Sequence, residues 1–337
     1  MTVGIRDVAR AAGVSTATVS RALGRGPVSD ALREQVEAAV RATGYRPNLS
    51  ARRLRSQAAQ TIGLIVADIR NPFFTAVSRA VEDAAFASGM RVILCNTDED
   101  PAREAMYLRL MEEERVTGVI FAPTRVTLDS LDGRPLGFPV VLIDRAGPPG
   151  THDSVVLDNV TAGASLVDHL VAQGYARIGG LFGATSTTAQ ERQTGYAAAM
   201  QRHGLAPSIR TVAPNAAAAE AEAARWLAGP DRPEALVLSN GLILMGTVRA
   251  ARTLDLAVPK DLALAGFDNE PWTDLIEPGL TVIEQPVAEI GAQAMQRLFE
   301  RIANPDQPVR KIVLSGRLVV RDSTCKNEMD ARSGPRT

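Results

Sequence analysis

Cysteine, histidine and aromatic residues are scarce in this chain: two Cys, three His and an aromatic content of 4% across 337 residues. Cys95 and Cys325 fit no disulfide framework and no zinc spacing, and read as buried or incidental thiols. His152, His169 and His203 stand apart in sequence, without metal-ligand spacing and without a nucleophile motif beside them. GGLFG, from Gly179, is a poor version of a phosphate-binding loop. The expectation is therefore no metal, no cofactor and no enzymatic activity. No run approaches the ~20 apolar residues that a membrane helix needs. The opening MTVGIRDVAR places an acid and arginines where a secretory leader carries its apolar region, which points to the cytoplasm.

The remaining composition, 45% hydrophobic and 22% charged, is that of an ordinary globular protein, and the length suits two or three domains. A net charge of −1 conceals an asymmetry. Residues 1–56 hold ten arginines and four acids, a local +6, which leaves −7 for the other 281. Basic excess confined to one end points to an anionic partner for that end.

Local patterns give that end a shape. In IRDVARAAG the apolar residues Ile5, Val8, Ala9 and Ala12 form one stripe of a helix, with Gly4 at its N-cap and Gly13 at its end. Ser15 caps a second helix that runs to about Leu23. On it Val19, Ala22 and Leu23 point inward, while Thr16, Ala17, Ser20 and Arg21 point out. Helix, glycine-containing turn, helix is the helix-turn-helix pattern, whose second helix enters the DNA major groove. A third helix is capped by Ser29, carries Leu32, Val36, Ala39 and Val40 inward, and stops at Gly44. YRPN breaks the chain at Pro47, and the short basic LSARRLRSQ follows. A helix that short is marginal alone, so it is expected to order only on docking.

DVARAAGVSTATVSRAL and GYRPNLSARRL closely resemble the DNA-binding headpiece of the lactose-repressor (LacI) family of bacterial transcription regulators. The resemblance implies that Thr16, Ala17 and Arg21 read base edges, Arg21 with a fork suited to guanine O6 and N7. It implies phosphate contacts for Ser15, Thr18 and Ser20, and DNA contact from Asn48, Ser50 and Arg52 in the arginine-rich segment. Leu54 matches the family's hinge-helix leucine, which wedges into the minor groove and kinks it. Gly24 stands where most members carry Asn.

From Thr61 onward strands and helices alternate. IGLIVAD, RVILCN, GVIFAP, RIGGLFG, ALVLSN and LALAGFD read as buried strands, with a further possible strand at Ile209–Ala213. Helices fall between them: Phe74 to Gly89, Arg103 to Glu114, Asn159 to Gly174, Ala189 to His203, Ala216 to Leu227, and a last one ending at Leu254. TVIEQ, a helix from Val287, and KIVLS cross back. The fold class is a small all-α headpiece followed by an α/β core of two doubly wound parallel-sheet lobes. Ligands in such sheets bind outside the carboxyl ends of strands, so two facing lobes put the site in the cleft between them. Polar residues sit at those ends: Asp68, Asn71, Asp144, Arg145, Asp158, Arg192, Asn240 and Asp268. Such a set suits a hydroxyl-rich ligand, though Asp and Asn there also serve as helix caps. Phe73 and Phe74 offer rings for stacking, or belong to the core; Trp226 reads as core, and Trp272 is open between the two.

NPFF, LCNTDEDPARE, VVLIDR, ERQTGY, GFDN and LTVIEQP extend the family resemblance over the core, and with it the likeness to periplasmic sugar-binding proteins. It implies effector contact at Phe74, Asp144, Arg192, Asn240 and Asp268, with Asn71, Phe73 and Arg145 beside them. Gly241 stands where members usually show the Asp of Asn-Asp, and Asn215 about where many carry an aromatic platform. The expected layout is a headpiece over 1–46, hinge and linker over 47–60, one lobe over 61–158 and 286–315, the other over 159–285 and 316–325, and a tail over 326–337. The expected function is a DNA-binding regulator, a repressor, controlled by a carbohydrate-like effector. Its partners would be a pseudo-palindromic operator and a second copy, since the tail lacks the heptad leucines of a coiled-coil tetramer. The alternatives are a sugar-binding protein without DNA regulation, or a regulator answering to a purine or another metabolite.

Overall fold

The computed structural model describes residues 4–23, 27–44, 60–131 and 136–326, which divide between Ala59 and Gln60 into two compact units. The expected contacts at Asn48, Ser50, Arg52 and Leu54, and Gly24, lie outside the described residues. In the first unit, helices α1 (Ile5–Ala11), α2 (Thr16–Leu23) and α3 (Asp30–Thr43) bury Val8, Val19 and Val36 between them. Gly13, at φ 63°, turns the chain after α1. Ser15 Oγ accepts the Thr18 N–H at 3.0 Å and so caps α2. Ser29 holds the extended N-cap position of α3, but its hydroxyl makes no cap bond, unlike the sequence expectation. The register of α3 is fixed from its interior instead. Arg33 Nη1 donates to the Ala22 carbonyl at 2.8 Å and Gln35 Nε2 to the Ala12 carbonyl at 2.9 Å, which satisfies orphan acceptors at the ends of the other two helices.

The second unit contains strands β1 (Thr61–Val66), β2 (Arg91–Asn96), β3 (Gly118–Phe121), β4 (Val140–Ile143) and β5 (Asp153–Leu157). Then come β6 (Ile178–Gly183), β7 (Ser208–Val212), β8 (Ala235–Leu238), β9 (Ala263–Phe267) and β10 (Thr281–Glu284), and last β11 (Lys311–Leu314) and β12 (Arg317–Val319). One sheet runs β11-β5-β4-β3-β1-β2 and the other β12-β10-β9-β8-β6-β7. Every pairing is parallel except β10 with β12. The chain passes from one lobe to the other after β5, after β10 and after β11.

Helices cover both faces of each sheet, which is why most strands read as unbroken apolar runs. On the first sheet α4 (Pro72–Ala87) and α12 (Val287–Ala303) bury Phe74, Val81, Ile290 and Leu298, while α5 (Pro101–Glu113) and α6 (Arg125–Leu131) bury Met111 and Leu128. On the second, α7 (Asn159–Ala172) and α8 (Thr187–Arg202) cover one face, and α9 (Ala216–Leu227) and α10 (Gly241–Thr253) the other, with Trp226 in the core and the short α11 (Pro271–Leu275) following β9. Both α4 and α5 begin earlier than apolar periodicity indicates, because Asn71 and Asp100 cap them and a proline takes the first helical position. There the missing N–H of proline would have had no partner in any case. No helix among the described residues is long and apolar enough to cross a membrane.

Two constraints hold the lobes in shape. Asp153, at the start of β5, accepts from Arg297 Nε at 2.9 Å, Arg301 Nε at 2.8 Å and the Arg310 N–H at 2.8 Å, which ties α12 to the sheet. Burial pushes its carboxyl up, but those three bonds more than offset this and hold it below the ordinary range. In the other lobe α7 and α8 approach so closely that only glycine fits at two places. A Cβ at Gly163 would enter the Arg192 carbonyl, and one at Gly195 the Val160 carbonyl. Gly195→Ala is expected to force these helices apart and cost ~2 kcal/mol or more, as overpacking of a tight contact does. Urea unfolding within a few tenths of a kcal/mol of the parent would contradict that contact.

Candidate functional sites

On α2 the side chains divide as the stripe requires. Val19 and Ala22 are buried, Leu23 packs against the small core, and Thr16, Ala17 and Arg21 are exposed along with Ser15. Thr18 and Ser20, both expected to touch phosphate, are half-buried, and Thr18 Oγ1 lies 2.8 Å from Ser15 Oγ. Arg21 Nε leans back on the Ala17 carbonyl at 3.4 Å, which leaves its guanidinium fork in solvent. The exposed face therefore carries small polar groups at its N-terminal end and a cation one turn later.

In the core, loops leaving the carboxyl ends of both sheets face each other around a cleft of about 580 Å3, open mouth included. It brings together all eight sequence-derived candidates: Asn71, Phe73, Phe74, Asp144, Arg145, Arg192, Asn240 and Asp268. Asp68 lines it too, while Asp158 does not and serves only as the cap of α7, accepting the Thr161 N–H at 3.0 Å. For Asn71 and Asn240, capping and lining are not alternatives. Each uses Oδ1 to accept from the helix start, Phe73 N at 3.1 Å and Ile243 N at 2.8 Å, and both still border the cleft. Phe73 and Phe74 pack edge to face at 5.1 Å and are almost wholly buried, so they form wall and not a stacking surface. Asn215 caps α9 outside the lining, and Pro214 reaches the cleft in its place.

Arg192 is held from three sides. The close crossing at Gly163 and Gly195 sets α8 against α7, where Arg192 Nε donates to Asn159 Oδ1 at 2.8 Å. Nη1 donates to the Ser239 carbonyl at 2.5 Å, and the guanidinium lies 3.9 Å from the centroid of the Phe267 ring. Burial lowers its pKa, and Asp268, Asp144 and Glu191 oppose that shift. Asp268 stands at φ 76° and accepts from the Gly241 N–H at 2.9 Å and Gln285 Nε2 at 2.6 Å. Arg145 is clasped by Glu99; burial works against its charge, and Asp144 and Glu99 more than reverse that, raising its pKa. Burial pushes the Asp144 carboxyl up, and neither Arg145 nor Arg192 cancels it.

Sequence reasoning missed Glu99, Ser239 and Gln285 as lining residues. Ser239 and Gln285 directly follow β8 and β10, in LSN and IEQP, and Glu99 lies three residues past β2, in NTDED, so attention to every loop after a strand would have found them. It also left Gly241 and Trp272 open. A Cβ at Gly241 would sit 2.6 Å from Glu270 Oε1, so bare backbone here admits the buried Glu270 carboxyl. Trp272 Nε1 donates to its other oxygen at 2.6 Å, while Oε1 has no partner among the described residues.

A helix-turn-helix unit with an exposed polar face, in one chain with a two-lobe binding core, defines a ligand-responsive DNA-binding regulator. Residues 4–48 match the model for bacterial regulatory proteins of the lacI family, and residues 167–324 that for the periplasmic binding protein-like domain. The chain is 35% identical to the HTH-type transcriptional regulator PtxS of Pseudomonas plecoglossicida, with 96% of each chain covered. It is 33% identical to a ribose operon repressor of Halalkalibacterium halodurans, over 95% of this chain and 96% of the relative. The Lac repressor dimer bound to operator and an anti-inducer has the same fold, with TM-score 0.84 at 24% identity over 96% of this chain and 99% of that one. The chain belongs to the lacI family of bacterial regulatory proteins, and is a DNA-binding transcriptional regulator.

Burial, with Asp268 adding to it against the Trp272 hydrogen bond, pushes the Glu270 carboxyl up to about 7 from 4.5. Because the folded value is the higher one, this group's contribution to stability is complete below about pH 4.5 and is lost as pH rises through about 7. Glu270→Gln is therefore expected to gain on the parent by ~2 kcal/mol between about pH 5 and pH 8. Thermal melts showing the same difference at both pH values would sink this assignment.

Proposed function

We propose that the chain is a cytoplasmic homodimeric repressor whose grip on a pseudo-palindromic operator is set by a carbohydrate-like effector held between the core lobes. The observation that carries this is the pairing, in one chain, of the exposed Thr16, Ala17 and Arg21 face with a cleft lined by polar groups from both lobes. Two-fold symmetry in the protein matches two-fold symmetry in the operator. Thr16, Ala17 and Arg21 read base edges, Ser15, Thr18 and Ser20 position the helix on phosphates, and Asn48, Ser50, Arg52 and Leu54 act at the hinge. The lobes are assigned as 61–158 with 286–315, and 159–285 with 316–325, so effector binding biases their arrangement and through it operator affinity. One relative, named a ribose operon repressor, is consistent with a sugar.

Fluorescence anisotropy on operator fragments tests the DNA half. Arg21→Ala should weaken operator binding by ~1–3 kcal/mol and blur preference at one base pair. Unchanged binding to operator and to scrambled sequence would refute the groove assignment. The regulatory half has its own test, because coupling is reciprocal: operator DNA must change effector affinity by the factor by which effector changes operator affinity. Equal effector affinity with and without operator would refute it.

A further inference from the structure

The polar groups of the cleft differ in how far the protein itself already engages them. Arg145 is engaged at both Nη atoms, and its buried Nε makes no hydrogen bond among the described residues. Both its Nη atoms bond Glu99, Nη1 also donates to the Pro123 carbonyl at 2.8 Å, and Nε lies 3.2 Å from Asp144. Asp268 is engaged at both oxygens by Gly241 and Gln285. Arg192 commits Nε and Nη1, and its Nη2 has no hydrogen bond among the described residues. Asp144, on the opposite lobe, accepts no hydrogen bond among them at either oxygen, and its only ion pair is with Arg145.

Charge adds a second constraint. The lining carries four carboxylates, Asp68, Glu99, Asp144 and Asp268, against the two guanidiniums of Arg145 and Arg192, and Arg70, outside the lining, pairs with Asp68 at 2.9 Å, which leaves the acids in excess by one. A phosphate or carboxylate entering there would lose its water beside a net negative surface, with one guanidinium edge left to receive it. A hydroxyl group meets the available valences on both sides, since it donates to Asp144 and accepts from Arg192 Nη2. Ligand hydroxyls placed at both groups would bridge the two lobes.

We infer that this cleft takes a polyol without phosphate or carboxylate, and that Glu99 sets the preference by holding Arg145 away from the ligand. The inference rests on the reading of the core as an effector-binding unit. Glu99 acts through Arg145, so it is a specificity-determining residue and not itself the principal contact.

The test is calorimetric titration of the full chain with neutral pentoses, hexoses and disaccharides, each beside its sugar phosphate and aldonic acid. At least one neutral sugar is expected to bind, at least ~10-fold tighter than its anionic counterparts. Glu99→Gln, which frees Arg145, should narrow that ratio ~10-fold or more. Asp144→Asn, which removes one negative charge and an acceptor, should weaken the neutral sugar and narrow the ratio as well, and it serves alone if the Glu99 variant does not fold. A ratio unchanged in a folded variant, or tighter binding of the anions by the parent, overturns the inference. If anions bind and release operator DNA, the regulator reading survives and only the ligand class falls. If no compound of either kind binds, both fall.

Discussion

Arg192 is buried at the edge of a cleft, and a buried guanidinium requires partners on several sides at once. Its partners come from distant parts of the chain: Asn159 at the start of α7, the Ser239 carbonyl at the end of β8, and the Phe267 ring at the end of β9. They converge because Gly163 and Gly195 let α7 and α8 meet backbone to backbone, which brings Asn159 within reach of the Nε. A side chain at either glycine would separate the helices and leave the cation desolvated without its acceptor. The C-terminal lobe is in this sense assembled around one charge.

The facing lobe solves the opposite problem. Asp144, held at φ 64°, has no hydrogen-bond donor among the described residues and burial raises its carboxyl pKa, while the neighbouring Arg145 is taken by Glu99. A doubly wound sheet sends every loop after a strand to the same edge, so such unpaired groups collect there and not elsewhere. Two sheets meeting by those edges yield a cleft with unused donors on one wall and unused acceptors on the other. That polarity, more than any one residue, makes the site complementary to a bridging ligand.

Much of this was legible in the chain. Strands such as TIGLIV and ALVL announce themselves as apolar runs, because both faces of the sheet are covered. The helix-turn-helix was legible because its stripe, its Gly13 turn and its Ser15 cap agree. The rule about strand ends supplied the polar candidates, of which all but Asp158 line one cavity, while Phe73 and Phe74 came from the family motif and its rings. What stayed hidden depended on pairing across the sequence. Glu99 and Arg145 are 46 positions apart, Arg192 and Ser239 are 47, and no local pattern connects them. The starts of α4 and α5 were misplaced by two residues, since Asn71 and Asp100 cap helices that open on a proline ahead of the apolar stripe.

By itself the sequence determined the class of the protein, through local signals that need no partner: charge concentrated at one end, periodicity, caps and the family motifs in DVARAAGVSTATVSRAL and GFDN. It also determined which residue types stand at the strand ends. Only the tertiary structure decided which of those groups are still available to a ligand. Hydrogen-bonding capacity is used up by neighbours in space, and Arg145, Asp268 and Asp144 look alike as charged residues until the partners of each are known.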